Sequence, residues 1–275
     1  MTNTGTNEVI SRISGQQVPD GAAGLWWLGQ SSLVIRMAGQ TLYIDPYLAV
    51  AERRMVPPEF SGSDVTNADL VLVTHDHADH LDPEALPLIA RASPQARFVV
   101  PRPLETRVLD LVPDAARIDL AEVGKPIRHD ALEIIPVKAK HEEFDEVEGV
   151  GFPYLGYVLR DGSVSIYIAG DTIPYDGLVE SLQPHAINLA ILPINGRDYF
   201  RTKRGTIGNF HVREAAELAL ALGVDTVIPV HFGMFAGNTV PAGSFVDFLQ
   251  SIAPQVHTHY PALFRPYIYM PVTGA

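Results

Sequence analysis

Apolar residues in this chain gather in short, nearly unbroken runs rather than in long amphipathic stripes. Residues 25–37 (LWWLGQSSLVIRM) and 41–45 (TLYID) read as two strands joined by a turn at Ala38-Gly39-Gln40. Runs rich in β-branched and aromatic side chains, bounded by glycine or polar residues, are what a strand buried on both faces requires. The same pattern marks residues 69–73 (DLVLV), 98–100, 118–120, 131–137, 156–160, 164–169, 189–194 and 226–230. Helical periodicity is rarer. It follows Pro83, which occupies a first turn that tolerates proline, with Asp82 placed to cap and Leu86, Ile89 and Ala90 sharing a face. It returns at 212–222 and near 245–252. Two halves of the same kind, strand-rich and interrupted by helices, predict an α/β protein of two stacked sheets with helices outside, a four-layer αββα sandwich. The opening hairpin and the 131–169 region look antiparallel, so a purely parallel sheet fits worse. Residues 1–23 are polar and read as an N-terminal lead, and 24–275 as a single domain.

One of these strands ends in chemistry. Directly after 69–73 comes Thr74-His75-Asp76-His77-Ala78-Asp79-His80, three imidazoles and two carboxylates in an H-x-H-x-D-H frame. At a strand end His75 and His77 point the same way at period two, while Asp79 and His80 curl back toward a neighbouring point. That arrangement suits two metal ions. The chain has no cysteine, which excludes disulfides, thiolate zinc sites and a cysteine nucleophile, so any metal sits on nitrogen and oxygen. Asp171, in Ala169-Gly170-Asp171-Thr172, and His231, in Ile228-Pro229-Val230-His231, also follow apolar strands. Each projects from a strand's carboxyl end, where α/β proteins hold ligands. Such ligands suit zinc first, with manganese or iron as alternatives. His129 and His185 are expected to face solvent, and His257 and His259 to be structural.

Composition narrows the partners. With 275 residues, 47% of them apolar, the chain can bury a full core. A net charge of −12 without a long basic run argues against nucleic acid or an anionic membrane and for a small-molecule substrate. The N-terminus lacks the basic start and apolar core of a signal peptide, and no window reaches the ~18 apolar residues of a bilayer span. A cytoplasmic protein is expected, with a homo-oligomer left open. One basic concentration stands out. Arg197, Arg201, Lys203 and Arg204 lie among glycines before the 212–222 helix, for which Asn209 or a near neighbour is the candidate cap. Basic side chains and a helix N-terminus together predict that these residues hold an anionic group of the substrate.

The histidine motif with single ligands after later strands resembles the metallo-β-lactamase superfamily of metal-dependent hydrolases, whose fold is the same αββα sandwich. The resemblance implies that His141, at the end of the strand leading through Pro136-Val137-Lys138, joins His75 and His77 at one metal. It also implies that Asp79, His80 and His231 hold a second metal and that Asp171 bridges the two. A hydroxide between the metals would then be the nucleophile, with Asp79 orienting it. Asp45, followed by Pro46, matches an aspartate that accepts a hydrogen bond from the histidine turn and orients a ligand. Within the superfamily the chain is similar to the branch containing L-ascorbate-6-phosphate lactonase, through Trp26-Trp27-Leu28-Gly29, the histidine motif, Gly170-Asp171-Thr172 and Val227-Ile228-Pro229. The segment 47–68 is shorter than that branch leads one to expect, so its substrate pocket does not carry over. The function expected is hydrolysis of a small anionic lactone or ester. A phosphodiesterase using the same site is the alternative, and a metal-binding module without turnover a third reading.

Overall fold

The apolar runs become strands because nearly all of them are covered on both faces. The computed structural model describes residues 7–271. The first six residues of the expected lead and the last four of the chain lie outside the described residues. One sheet holds β1 (Ala23–Gly29), β2 (Ser32–Met37), β3 (Gln40–Ile44), β4 (Leu70–Leu72), β5 (Arg97–Pro101) and β6 (Ile118–Ala121), each beside the next. The other holds β7 (Ile127–His129), β8 (Leu132–Lys138), β9 (Leu155–Arg160), β10 (Ser165–Ile168), β11 (Leu189–Pro193), β12 (Thr226–Val230) and β13 (His257–Thr258). The last strand, β14 (Pro266–Tyr269), returns to pair with β1. Both sheets begin antiparallel and turn parallel, from β3 onward in the first and from β10 in the second. The halves are indeed alike in kind.

Parallel neighbours need crossovers, and α-helices lie in all of these but the β3–β4 connection. In chain order they are α1 (Glu8–Gly15), α2 (Ala85–Ala92), α3 (Glu105–Leu111), α4 (Leu178–Leu182), α5 (Tyr199–Lys203), α6 (Val212–Leu222) and α7 (Gly243–Ile252). Strand alternation divides the core into layers. Leu25, Trp27, Leu33, Ile35, Leu42, Ile44, Leu70 and Leu72 pack into the same cluster as Ile134, Val158 and Ile166 of the second sheet. Their alternates Trp26, Leu28, Val34, Tyr43, Val71 and Phe98 pack with Ile10, Ile13, Leu86, Ile89 and Val108 of α1, α2 and α3. Successive side chains on a strand point to opposite faces, so one run of sequence feeds two cores. The result is the expected αββα sandwich.

Three expectations change. The run 25–37 is two strands, not one, because Gly29 (φ 102°) and Gln30 (φ 53°) turn the chain between β1 and β2. Part of the lead folds. Asn7 caps α1 by accepting from the Val9 N–H, and Val9, Ile10 and Ile13 are buried in the outer core. Those three residues form a single stripe too short to register against a polar background. The helix after Pro83 starts at Ala85, since the Asp82 carboxylate accepts from the Glu84 and Ala85 N–H groups. Its other oxygen accepts from Leu48 and Ala49, which ties the 46–60 loop to the same end of the sandwich. Among the described residues no helix is long and apolar enough to cross a membrane.

Candidate metal centre

Each residue of the centre leaves the end of a strand. Asp45 follows β3, His75 to His80 follow β4, His141 follows β8, Asp171 follows β10 and His231 follows β12. Asp45 (φ 43°), His231 (φ 61°) and Gln30 (φ 53°) adopt left-handed backbone, which is uncommon for residues with a Cβ and gathers at functional sites. Gly170 (φ 62°) precedes Asp171, and a Cβ there would lie 2.8 Å from the Leu155 carbonyl oxygen and 3.0 Å from Thr74 Cβ. Only glycine lets the two sheets approach this closely.

The turn brings the predicted ligands together in two groups. Ligating atoms of His75, His77, His141 and Asp171 lie within 4.8 Å of one another, and so do those of Asp79, His80 and His231. Asp171 also touches the second group. Its Oδ1 is 3.4 Å from His80 Nε2 and its Oδ2 is 3.2 Å from His231 Nε2 and 3.9 Å from His141 Nε2. Asp45 lies against the histidine turn. Its Oδ1 accepts from the Thr74 N–H (2.8 Å), and its Oδ2 accepts from Thr74 Oγ1 (2.7 Å) and sits 2.7 Å from His80 Nδ1. That contact turns His80 Nε2 inward.

Burial and charge make the cluster unusual. His75 is held well below its ordinary value by burial, and His141 is pushed down to about 4 by burial that outweighs the pull of Asp171. Both imidazoles are therefore neutral at neutral pH and able to ligate. Burial alone would lower His80, but Asp171, Asp45 and Asp79 outweigh it and hold the ring up at about 10. Burial would raise Asp171, yet His231 and His80 beside it hold its carboxyl well below the usual carboxylate range. Five buried atoms in the cluster have no hydrogen-bond partner: His80 Nε2, both ring nitrogens of His141, His231 Nδ1 and Asp171 Oδ1. Orphaned buried polar groups are rare. Their concentration here, on nitrogen and carboxylate donors alone, fits divalent metal ions.

The basic segment is different. Arg197 grips Glu214 with two hydrogen bonds (2.7 and 2.6 Å) and donates to the Asn209 carbonyl oxygen. Arg201 is bound to Asp198 and to the Asn195 carbonyl oxygen, and Asn209 is fully buried against Asn195. Arg197 ties the loop to Glu214 of α6, and Arg201 also donates to Asn238 Oδ1 (3.1 Å). The α6 cap is the near neighbour His211, and its backbone N–H donates to the Glu214 carboxylate. Lys203 stands 5.6 Å from the Tyr199 ring. Arg204 alone of the set lines the cleft beside the candidate metal ligands, an open space of about 730 Å³ bordered by Tyr47, Arg53, Asp79, Thr206 and Phe235. His129 lies 3.1 Å from Asp119 rather than facing solvent, His185 is half-buried, and His259 stacks on Tyr267.

Three residues escaped the sequence. Arg53 sat in a loop with no periodicity. Gln30 was hidden inside an apparent single strand. Tyr154, whose ring centroid is 5.1 to 5.8 Å from those of His75, His77 and His141, ends a polar loop and carries no motif. Burial pushes its hydroxyl up to about 12, so it stays neutral.

Relatives share this frame. The family model of the β-lactamase superfamily domain matches residues 40–232, from β3 through the last predicted ligand. A metal-dependent hydrolase of Pyrococcus horikoshii is 32% identical over 207 residues, covering 75% of this chain and 83% of that protein. A metallo hydrolase of Ignicoccus hospitalis superposes with a TM-score of 0.70 at 20% identity, over 90% of this chain and 98% of its own. An isothiocyanate hydrolase from Delia radicum gut bacteria superposes with a TM-score of 0.70 at 19% identity, over 90% and 99%. With the sandwich, the strand-end His and Asp cluster and the family match in agreement, the chain belongs to the metallo-β-lactamase superfamily.

Proposed function

We propose that this chain is a dinuclear metal-dependent hydrolase that cleaves a small anionic lactone or ester. The observation that carries this reading is the position of Asp171 between two ligand groups, in contact with His80, His141 and His231. His75, His77 and His141 would hold one ion, Asp79, His80 and His231 the other, and Asp171 both. Zinc is the first choice, with manganese or iron as alternatives. Ions held there supply Lewis acidity toward the substrate carbonyl and a hydroxide nucleophile near neutral pH.

The protein's own groups do the rest. Asp45 keeps His80 in the orientation that presents Nε2. Asp79 is 24% exposed and borders the cleft, so its carboxylate can orient the attacking water. Arg53 and Arg204 enter the cleft from separate loops and form no ion pair among the described residues. They would bind the anionic group of the substrate, while Tyr47 and Phe235, 6.1 Å apart, wall its apolar part. The relatives' metal-dependent hydrolysis supports the reaction class.

The test combines metal analysis of protein purified without added metal with a panel of sugar-phosphate lactones, neutral lactones and bis(p-nitrophenyl) phosphate. Close to two ions per chain and hydrolysis of the lactones, faster for the charged ones, are expected. Preference for the phosphodiester would overturn the substrate assignment. Bound metal with no turnover on any of the three would overturn the enzymatic reading.

A further inference from the structure

Gln30 stands inside the second ligand group. It is fully buried at the β1–β2 turn, where a bulge after Trp27, Gly29 at φ 102° and its own φ of 53° aim its side chain toward the strand ends. Its backbone is fixed twice over. The Gln30 carbonyl oxygen accepts from Trp27 Nε1 (2.9 Å) and from the His231 N–H (2.9 Å). Its Nε2 donates to Asp79 Oδ2 (2.8 Å) and lies 3.1 Å from His231 Nε2, while Oε1 is buried with no partner. One carboxamide thus meets the ligating atoms of two of the three residues in that group.

We propose that Gln30 is a further ligand of the second metal ion, through Oε1. The inference rests on the dinuclear reading above. Three points support it. With Asp171 shared, each group offers four side-chain donors, and an ion of five or six coordination at the second still has room for another oxygen. A His231 nitrogen that ligates has no lone pair left for an amide N–H, so loading the group removes that contact. Rotating the amide by a half-turn exchanges its nitrogen and oxygen, which are near-identical in shape, and brings the orphaned Oε1 to face the same atoms. A carbonyl oxygen is a hard, neutral donor, which inclines the second position toward manganese or ferrous iron relative to zinc.

The test is a Mn2+ titration of the metal-free full-length chain, following free Mn2+ by electron paramagnetic resonance. Wild type is compared with Gln30→Ala, Gln30→Met and Gln30→Glu. Wild type should take two ions. Ala and Met should keep the first and bind the second at least about tenfold more weakly. Met fills nearly the same volume, so a loss it shares with Ala is not a packing loss. Glu, which retains the oxygen and lacks the N–H donors, should hold the second ion at least as tightly as wild type. Wild-type affinity for both ions in Ala and Met overturns the proposal. So does weakening in Glu equal to that in Met, since the amide would then act on Asp79 through its N–H groups alone. A wild type that takes a single ion overturns both this inference and the dinuclear reading.

Discussion

The histidine turn and the basic segment 197–209 both carry dense, chemically loaded sequence, yet the fold treats them in opposite ways. In the first, buried ring nitrogens and a carboxylate oxygen converge and find no protein partner. In the second, Arg197 and Arg201 are consumed by bonds to Glu214 and Asp198. Residue type alone does not separate the two. What separates them is whether the surrounding chain satisfies the groups or leaves them open for something else.

The largest break in that comparison is His77→Ala. Removing one imidazole of the first group should lower bound metal below two equivalents and cut the hydrolytic rate about a thousandfold or more, a loss of several kcal/mol of charge stabilisation. Full activity with any supplied metal would sink the site assignment. Asp45→Asn tests the same region at one remove, because it keeps the shape and weakens the acceptor that orients His80. Metal affinity should fall ten- to a hundredfold, read by competition with a chelator.

The basic segment sharpens the contrast through two arginines seven residues apart. Arg204→Gln should raise KM for an anionic lactone about tenfold and leave a neutral one unchanged, as a lost charge-assisted contact does. Arg53→Gln should behave alike. Arg197→Gln should leave KM within about twofold for both substrates and instead lower stability by about 1–2 kcal/mol, measured by urea unfolding. That loss has a pH signature. Burial would raise Glu214, but Arg197 and the His211 N–H together hold it below its ordinary 4.5. A depressed carboxyl stabilises the fold above its unfolded value and loses that contribution as the pH falls through the folded one. The gap between wild type and Arg197→Gln should therefore be full at pH 7 and shrink below about pH 4.5. A gap independent of pH would show that the arginine acts through packing.

The sandwich was legible because a strand buried on both faces must be apolar throughout, and the runs at 69–73, 131–137 and 226–230 say so directly. Helix 212–222 was legible from its periodicity alone. The β1–β2 turn was not, since Gly29-Gln30-Ser31-Ser32 reads as a pause within a strand and only pairing in space shows a hairpin. The α1 stripe is likewise too short to declare itself before it meets the outer face of the first sheet.

The sequence by itself determined the chemistry of the candidate site: a contiguous H-x-H-x-D-H turn, no thiolate, and single His and Asp residues at strand ends, where backbone geometry presents them together. Tertiary structure alone decided which other polar groups join them. Gln30 reaches Asp79 across 49 positions of chain and His231 across 201, and Arg53 shares a cleft with Arg204. Arg197, bonded directly to Glu214 across 17 positions, is held away from the cleft by the same folding. Contacts over such separations depend on how two sheets and their loops pack, which no local pattern encodes.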